Sequence, residues 1–115
     1  MTRGELLDFA ADVAWRFNAN DSYGSNRATA IRAIRRKCTG FTPRQIENAF
    51  DSAMSLYDVV QPLVKEHAAE FWAATECGDK TWSLLDTVLK RQFPAYRLST
   101  LRGMVAMTFY YWHMR

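Results

Sequence analysis

The stretch "RRKCTGFTPRQI", residues 35–46, decides the fold. Its second half meets three separate conditions for starting a helix. Thr42 is a good N-cap, because its hydroxyl oxygen accepts from an amide in the first turn, and Gln45 stands where its side chain can return the bond to the Thr42 amide, completing a capping box. Pro43 takes the first helical position, where its fixed φ fits and its missing N–H is not needed. Phe41, just before the cap, can staple onto Ile46 across the first turn. The first half reads as the end of another helix: Arg35, Arg36 and Lys37 suit the negative end of a helix dipole, and Gly40 follows as a breaker. The stretch is therefore a corner between two helices.

Downstream, Ile46, Ala49, Phe50, Ala53, Met54, Tyr57 and Val60 recur at helical spacing, while Arg44, Glu47, Asn48, Asp51, Ser55 and Asp58 fall on the opposite, water-facing side. Pro62 is expected to end or kink this third helix, since it donates no amide and crowds the carbonyl four residues back. A fourth helix then runs to Cys77, with Gly78 as its left-handed stop. Asp79 or Thr81 starts a fifth, with Trp82, Leu85, Val88, Leu89 and Phe93 inward, which Pro94 stops. Ser99 is expected to cap a last helix, "TLRGMVAMTFYYWHMR", apolar nearly all round and so either central or buried against another chain.

Upstream, a second helix over about 26–38 turns Ile31, Ile34 and Cys38 inward, preceded by the polar loop "NANDSYGSN" at 18–26. The first helix runs over about 3–18, opened by a Thr2–Glu5 capping box and carrying Leu6, Phe9, Ala10, Val13, Ala14 and Phe17 on one stripe. Strand alternation is absent. The expectation is an all-α fold, an irregular bundle of five to six helices, forming a single domain over residues 1–115, because no linker is long or polar enough to divide the chain.

Hydrophobic residues make up 49% of the chain and aromatic residues 14%, enough apolar surface to exclude a disordered chain. Glu5, Asp8 and Asp12 interrupt any signal-peptide pattern. The longest uncharged tract near an end, residues 103–114, falls short of the roughly 20 apolar residues that span a bilayer. Cys38 and Cys77 make a poor disulfide framework. These features imply a soluble, cytoplasmic protein without a membrane partner.

Charge is segregated. Six cations and no acid lie between Ser22 and Ile46; from Glu47 to Leu89 eight acids outnumber two lysines; from Lys90 to Arg115 there are five cations and again no acid. Complementary helices placed side by side would explain the pattern, and so would a field for an anionic partner. "IRRKCTGFTPRQI" (34–46) also lies on "LKRQFPAYRLSTL" (89–101) without a gap, pairing Ile34 with Leu89, Arg35 and Arg36 with Lys90 and Arg91, Phe41 with Tyr96, and Ile46 with Leu101. A duplicated helix–corner–helix unit is one account; the general preferences of helix ends are the other.

Residues suited to catalysis or metal binding do not assemble into a pattern. Cys38, Cys77, His67 and His113 occur singly, whereas structural zinc uses ligands in close pairs. Neither histidine belongs to the Glu-x-x-His pair of a di-iron bundle. Cys38 lies near Arg36 and Lys37, which could depress its pKa, but it also sits on an apolar helix face. His67 and Glu70 share a helical face as an acid–base pair or a solvated stripe. The loop at 18–26 has Tyr23 where a calcium loop needs glycine. The expectation is a non-catalytic protein with no cofactor, no metal and no small-molecule substrate.

Two binding modes remain. The first is association with a protein partner or a second copy, as a homodimer, through Met107, Tyr110, Tyr111, Trp112 and Met114 of the last helix, residue types enriched at interface cores. The alternative is nucleic-acid binding through Arg32, Arg35, Arg36, Lys37 and Arg44. Base reading by the start of the third helix is opposed by Glu47 and Asp51, which would meet phosphate repulsion. "TGFTPRQIENAF", residues 39–50, resembles the Gly-Phe loop and following helix of ubiquitin-associated domains. Those are compact three-helix units, and the long third helix here departs from them, so the resemblance implies no ligand.

Overall fold

The corner at 35–46 forms as its residues dictate. In the computed structural model, which describes residues 1–19, 22–69 and 83–114, the Thr42 amide donates to Gln45 Oε1 at 2.8 Å and the Gln45 amide donates to Thr42 Oγ1 at 3.1 Å. The helix that follows, α3, runs from Pro43 to Glu66. Preceding it are α1, Arg3–Ala19, and α2, Arg27–Lys37; after it come α4, Ser83–Gln92, and α5, Leu98–Phe109, which passes into a π-helical turn at Tyr110–Met114. The chain is all-α, with no strand among the described residues.

By internal contacts the chain divides into two compact units, Met1–Tyr57 and Asp58–Arg115. The division falls inside α3 rather than in a linker, so neither composition nor turn residues mark it. Within the first unit α1 packs on α2. Thr2 and Glu5 make the expected capping box, with the Thr2 amide donating to Glu5 Oε1 at 3.1 Å and the Glu5 amide to Thr2 Oγ1 at 3.2 Å. Leu6, Ala10, Val13 and Ala14 are buried as the stripe requires; Leu7 and Ala11 are buried too, whereas Phe9 and Phe17 are half-buried. Two neighbouring faces of α1 are therefore covered. Asn26 caps α2 by accepting from the Thr29 amide at 3.2 Å, and Ala30, Ile34 and Cys38 are buried while Ile31 is half-buried. On α3, Ile46, Ala49, Phe50, Ala53 and Tyr57 are buried, and the Phe17 ring meets the Phe50 ring edge-on at 5.6 Å between centroids. All six polar positions assigned to water are exposed.

Pro62 does not end α3, which continues to Glu66. The freed carbonyl is that of Asp58, four residues back, and both residues are exposed, so water can take the place of the missing donor. Residues 63–66, expected to open a fourth helix, instead continue α3; from residue 70 that helix to Cys77, its Gly78 stop, the Asp79 or Thr81 start and the inward Trp82 lie outside the described residues, as do the side chains of Leu85, His113 and Met114.

In the second unit α4 packs on α5, with Leu89, Tyr96, Leu101, Met104, Val105 and Phe109 buried. The expected cap at Ser99 is displaced: Arg97 is the N-cap residue, extended and without a side-chain cap bond, and its carbonyl accepts from the amides of Thr100 and Leu101 at 3.0 and 3.2 Å. The extended backbone at Arg97, not a side-chain hydroxyl cap, starts this helix. The helix is also not enclosed on all sides. Leu101, Met104, Val105, Thr108 and Phe109 form its buried face, whereas Leu98, Arg102, Ala106, Met107 and Tyr110 are exposed.

The two corners match in construction. Each is five residues long, 38–42 and 93–97. Each opens with an amide bonded back to the preceding helix, Cys38 to the Ile34 carbonyl at 2.7 Å and Phe93 to the Leu89 carbonyl at 2.8 Å. The next helix then begins at Pro43 in one and Leu98 in the other. This is the register in which the two segments align by sequence.

Candidate functional site

The sequence leaves open whether the cations between Ser22 and Ile46 are consumed by the acidic residues that follow. One of the six is. Arg27 donates to Asp51 Oδ1 at 2.5 Å and Oδ2 at 3.3 Å, and its guanidinium lies 5.4 Å from the centre of the Phe50 ring. The pair joins the first turn of α2 to α3 across 24 residues and is half-exposed. Arg32, Arg35, Arg36, Lys37 and Arg44 are all exposed, and none is in an ion pair or hydrogen bond within the described part of the chain.

Helical geometry places Arg32, Arg35 and Arg36 on the side of α2 opposite the buried Ala30 and Ile34. Lys37 closes the helix, and Arg44 follows Pro43 at the start of α3. Between α2 and α3 lies an open cleft of about 490 Å³, walled by Arg27, Ala28, Ile31, Arg32 and Arg35 on one side and by Glu47 on the other. Glu47 is exposed and, like the arginines facing it, makes no ion pair among the described residues. The expected repulsion at the start of α3 is thus reduced at Asp51, which Arg27 neutralises, and retained at Glu47.

The second corner shows what a cation does when architecture needs it. Lys90, the counterpart of Arg35, donates through Nζ to the carbonyls of Pro94 at 3.0 Å and Tyr96 at 2.5 Å, satisfying two backbone acceptors of the corner itself. In the first corner no side chain among Arg35, Arg36 and Lys37 does this. Gly40, in the left-handed region at φ 91°, turns the chain there, a conformation that costs glycine little.

Cys38 is buried, and burial pushes its thiol above the ordinary value, with Lys37 pulling the other way and Glu5 adding to the rise. The depression suggested by the neighbouring cations is therefore overturned: loss of hydration outweighs a charge whose side chain extends into water. His67 is half-buried, and its expected partner Glu70 lies outside the described residues. No group of three or more His, Cys, Asp or Glu side chains among the described residues could hold a metal. None of the described helices is long and apolar enough to cross a membrane.

At the end of α5, Tyr110 is 63% exposed, Trp112 49% and Met107 37%. Tyr111 is half-buried, with its ring edge-on to Trp112 at 4.9 Å. Three of the five residues assigned to a protein interface are thus presented to solvent, one is partly covered, and the side chain of Met114 is not described. The sequence missed the cleft and Glu47's place in it, because the opposed walls come from different helices; the only available signal was the absence of acid in one stretch followed by acid directly after it. The chain matches no known family model, no curated protein and no solved structure.

Proposed function

We propose that the protein binds nucleic acid through the basic side of α2 and the corner after it, contacting the phosphate backbone from Arg32, Arg35, Arg36, Lys37 and Arg44. One observation carries the reading: these five cations are exposed and, among the described residues, unpaired, although acidic residues on α3 stand nearby and the equivalent Lys90 is engaged by carbonyls. A solvated cation next to acids that it does not pair with stabilises the fold little, since even formed surface pairs contribute about 0–1 kcal/mol. The same cations are well suited to phosphate, whose binding gains from counterion release. The start of α3 is a poor base reader in a duplex groove, because Glu47 stands there uncompensated. Contact is therefore with the backbone and largely independent of duplex sequence. A fluorescently labelled oligonucleotide titrated at several salt concentrations tests this. The logarithm of affinity is expected to fall with the logarithm of salt at a slope of about −4, the value for four to five phosphate contacts. No binding to DNA or RNA at low salt removes the reading.

A second reading is favoured by the exposure of Met107, Tyr110 and Trp112 on one end of one helix. Aromatic residues and methionine concentrated in one place suit a protein interface. On this reading the protein associates through the end of α5. Sedimentation equilibrium over a hundredfold concentration range is expected to show self-association that Trp112→Ala weakens; a monomer throughout, with no change in the variant, excludes the homodimer form.

A further inference from the structure

The cleft between α2 and α3 has opposite charges on its two walls and an aliphatic surface on one of them. Arg32 and Arg35 stand on the α2 wall beside Ala28 and Ile31, Glu47 stands on the α3 wall, and neither arginine pairs with the carboxylate. Such a site matches a ligand that is anionic at one end, flat and weakly polar in the middle, and a hydrogen-bond donor at the other. Beyond the cleft the cations continue through Arg36 and Lys37 to Arg44. That continuation selects a chain of phosphates over a single small anion.

Resting on the nucleic-acid reading above, we infer that the cleft seats one unpaired guanine of a single strand. The adjoining phosphates lie on Arg32 and Arg35, and the guanine edge faces Glu47. A carboxylate accepts and cannot donate, so it repels phosphate and must face the base. Guanine presents two adjacent donors, its ring N–H and exocyclic amine, to a bidentate acceptor. Thymine and uracil present one N–H flanked by two carbonyl oxygens, which a carboxylate repels. In a duplex the guanine donor pair is occupied by cytosine, so an unpaired strand is required. The cleft, at about 490 Å³, lies within the range of roughly 300–1,000 Å³ typical of small-ligand sites.

The test is fluorescence anisotropy at low salt with three labelled probes: a strand of thymidines only, the same strand with one central dG, and that dG strand annealed to its complement. Wild type is expected to bind the dG strand about tenfold more tightly than the thymidine strand, the discrimination of one bidentate base contact. Glu47→Gln is expected to abolish that preference while binding the thymidine strand at least as well as wild type, which also reports that the variant is folded. Equal affinity of wild type for the two single strands overturns the inference and leaves backbone binding intact. So does a preference that survives in Glu47→Gln, or a duplex bound as tightly as the dG strand. Failure of all three probes to bind removes both the inference and the reading beneath it.

Discussion

Phe50→Ala is expected to lose about 3–5 kcal/mol of stability, the usual cost of removing a buried aromatic side chain. Set against the ~5–15 kcal/mol by which a domain is normally stable, that is a large share. Phe50 is 1% exposed and takes part in more than packing. Its ring stands nearly perpendicular to that of Phe17 and lies beneath the Arg27 guanidinium, which is itself held by Asp51. Removing the ring leaves a cavity, breaks an aromatic pair worth about 0.5–1.5 kcal/mol beyond its area, and frees Arg27 on one side. Phe50→Leu keeps most of the volume and is expected to cost less than half as much. Urea unfolding of the three proteins, followed by tryptophan fluorescence, measures the difference; a Phe50→Ala midpoint close to that of wild type would refute this account of the core.

The paired substitution Arg32→Glu with Arg35→Glu is expected to do the reverse, leaving stability within about 0.5 kcal/mol of wild type while lowering oligonucleotide affinity at 0.1 M salt by about a hundredfold. Both side chains are exposed and unpaired among the described residues, so the described fold loses no bond with them. Each removed phosphate contact takes about one unit from the salt slope, so the slope is expected to fall from about −4 to about −2, and the added carboxylates oppose the strand further. Unfolding and binding measured on one sample separate the two effects. Unchanged affinity in the folded double variant would place the contact elsewhere.

The contrast between these substitutions reflects how far each feature could be read in sequence. The capping boxes at Thr2–Glu5 and Thr42–Gln45 were legible because both partners lie within one turn of each other, and the α3 stripe because its period alone fixes which side is wet. The all-α class follows from such local agreement. The Arg27–Asp51 pair was not legible: its partners are 24 residues apart and depend on how α2 meets α3. Nor was the course of α3 past Pro62, since whether a proline terminates a helix depends on whether water reaches the carbonyl it leaves open. For the last helix the sequence left two alternatives, a central place in this chain or burial against another chain, for a related reason. An apolar composition says that a helix can be enclosed, but only packing says how many sides are, and here Met107, Tyr110 and Trp112 stay in solvent. The basic residues themselves were visible at once; that, among the described residues, Arg27 alone of the six is engaged by an acid emerges only when the helices are in place.

Cys38 gives this corner an internal clock. Its thiol is 1% exposed and lies directly after the cations of α2, so a thiol reagent in solution can reach it only when the end of α2 opens. The labelling rate of Cys38, separated from that of Cys77 by peptide mapping, therefore reports how often the corner comes apart in the folded protein. A strand gripping Arg35, Arg36 and Arg44 together holds both sides of that corner and slows the clock without touching the sulfur. The residue that looks least functional in "RRKCTGFTPRQI" is thus the one that can time what its neighbours do.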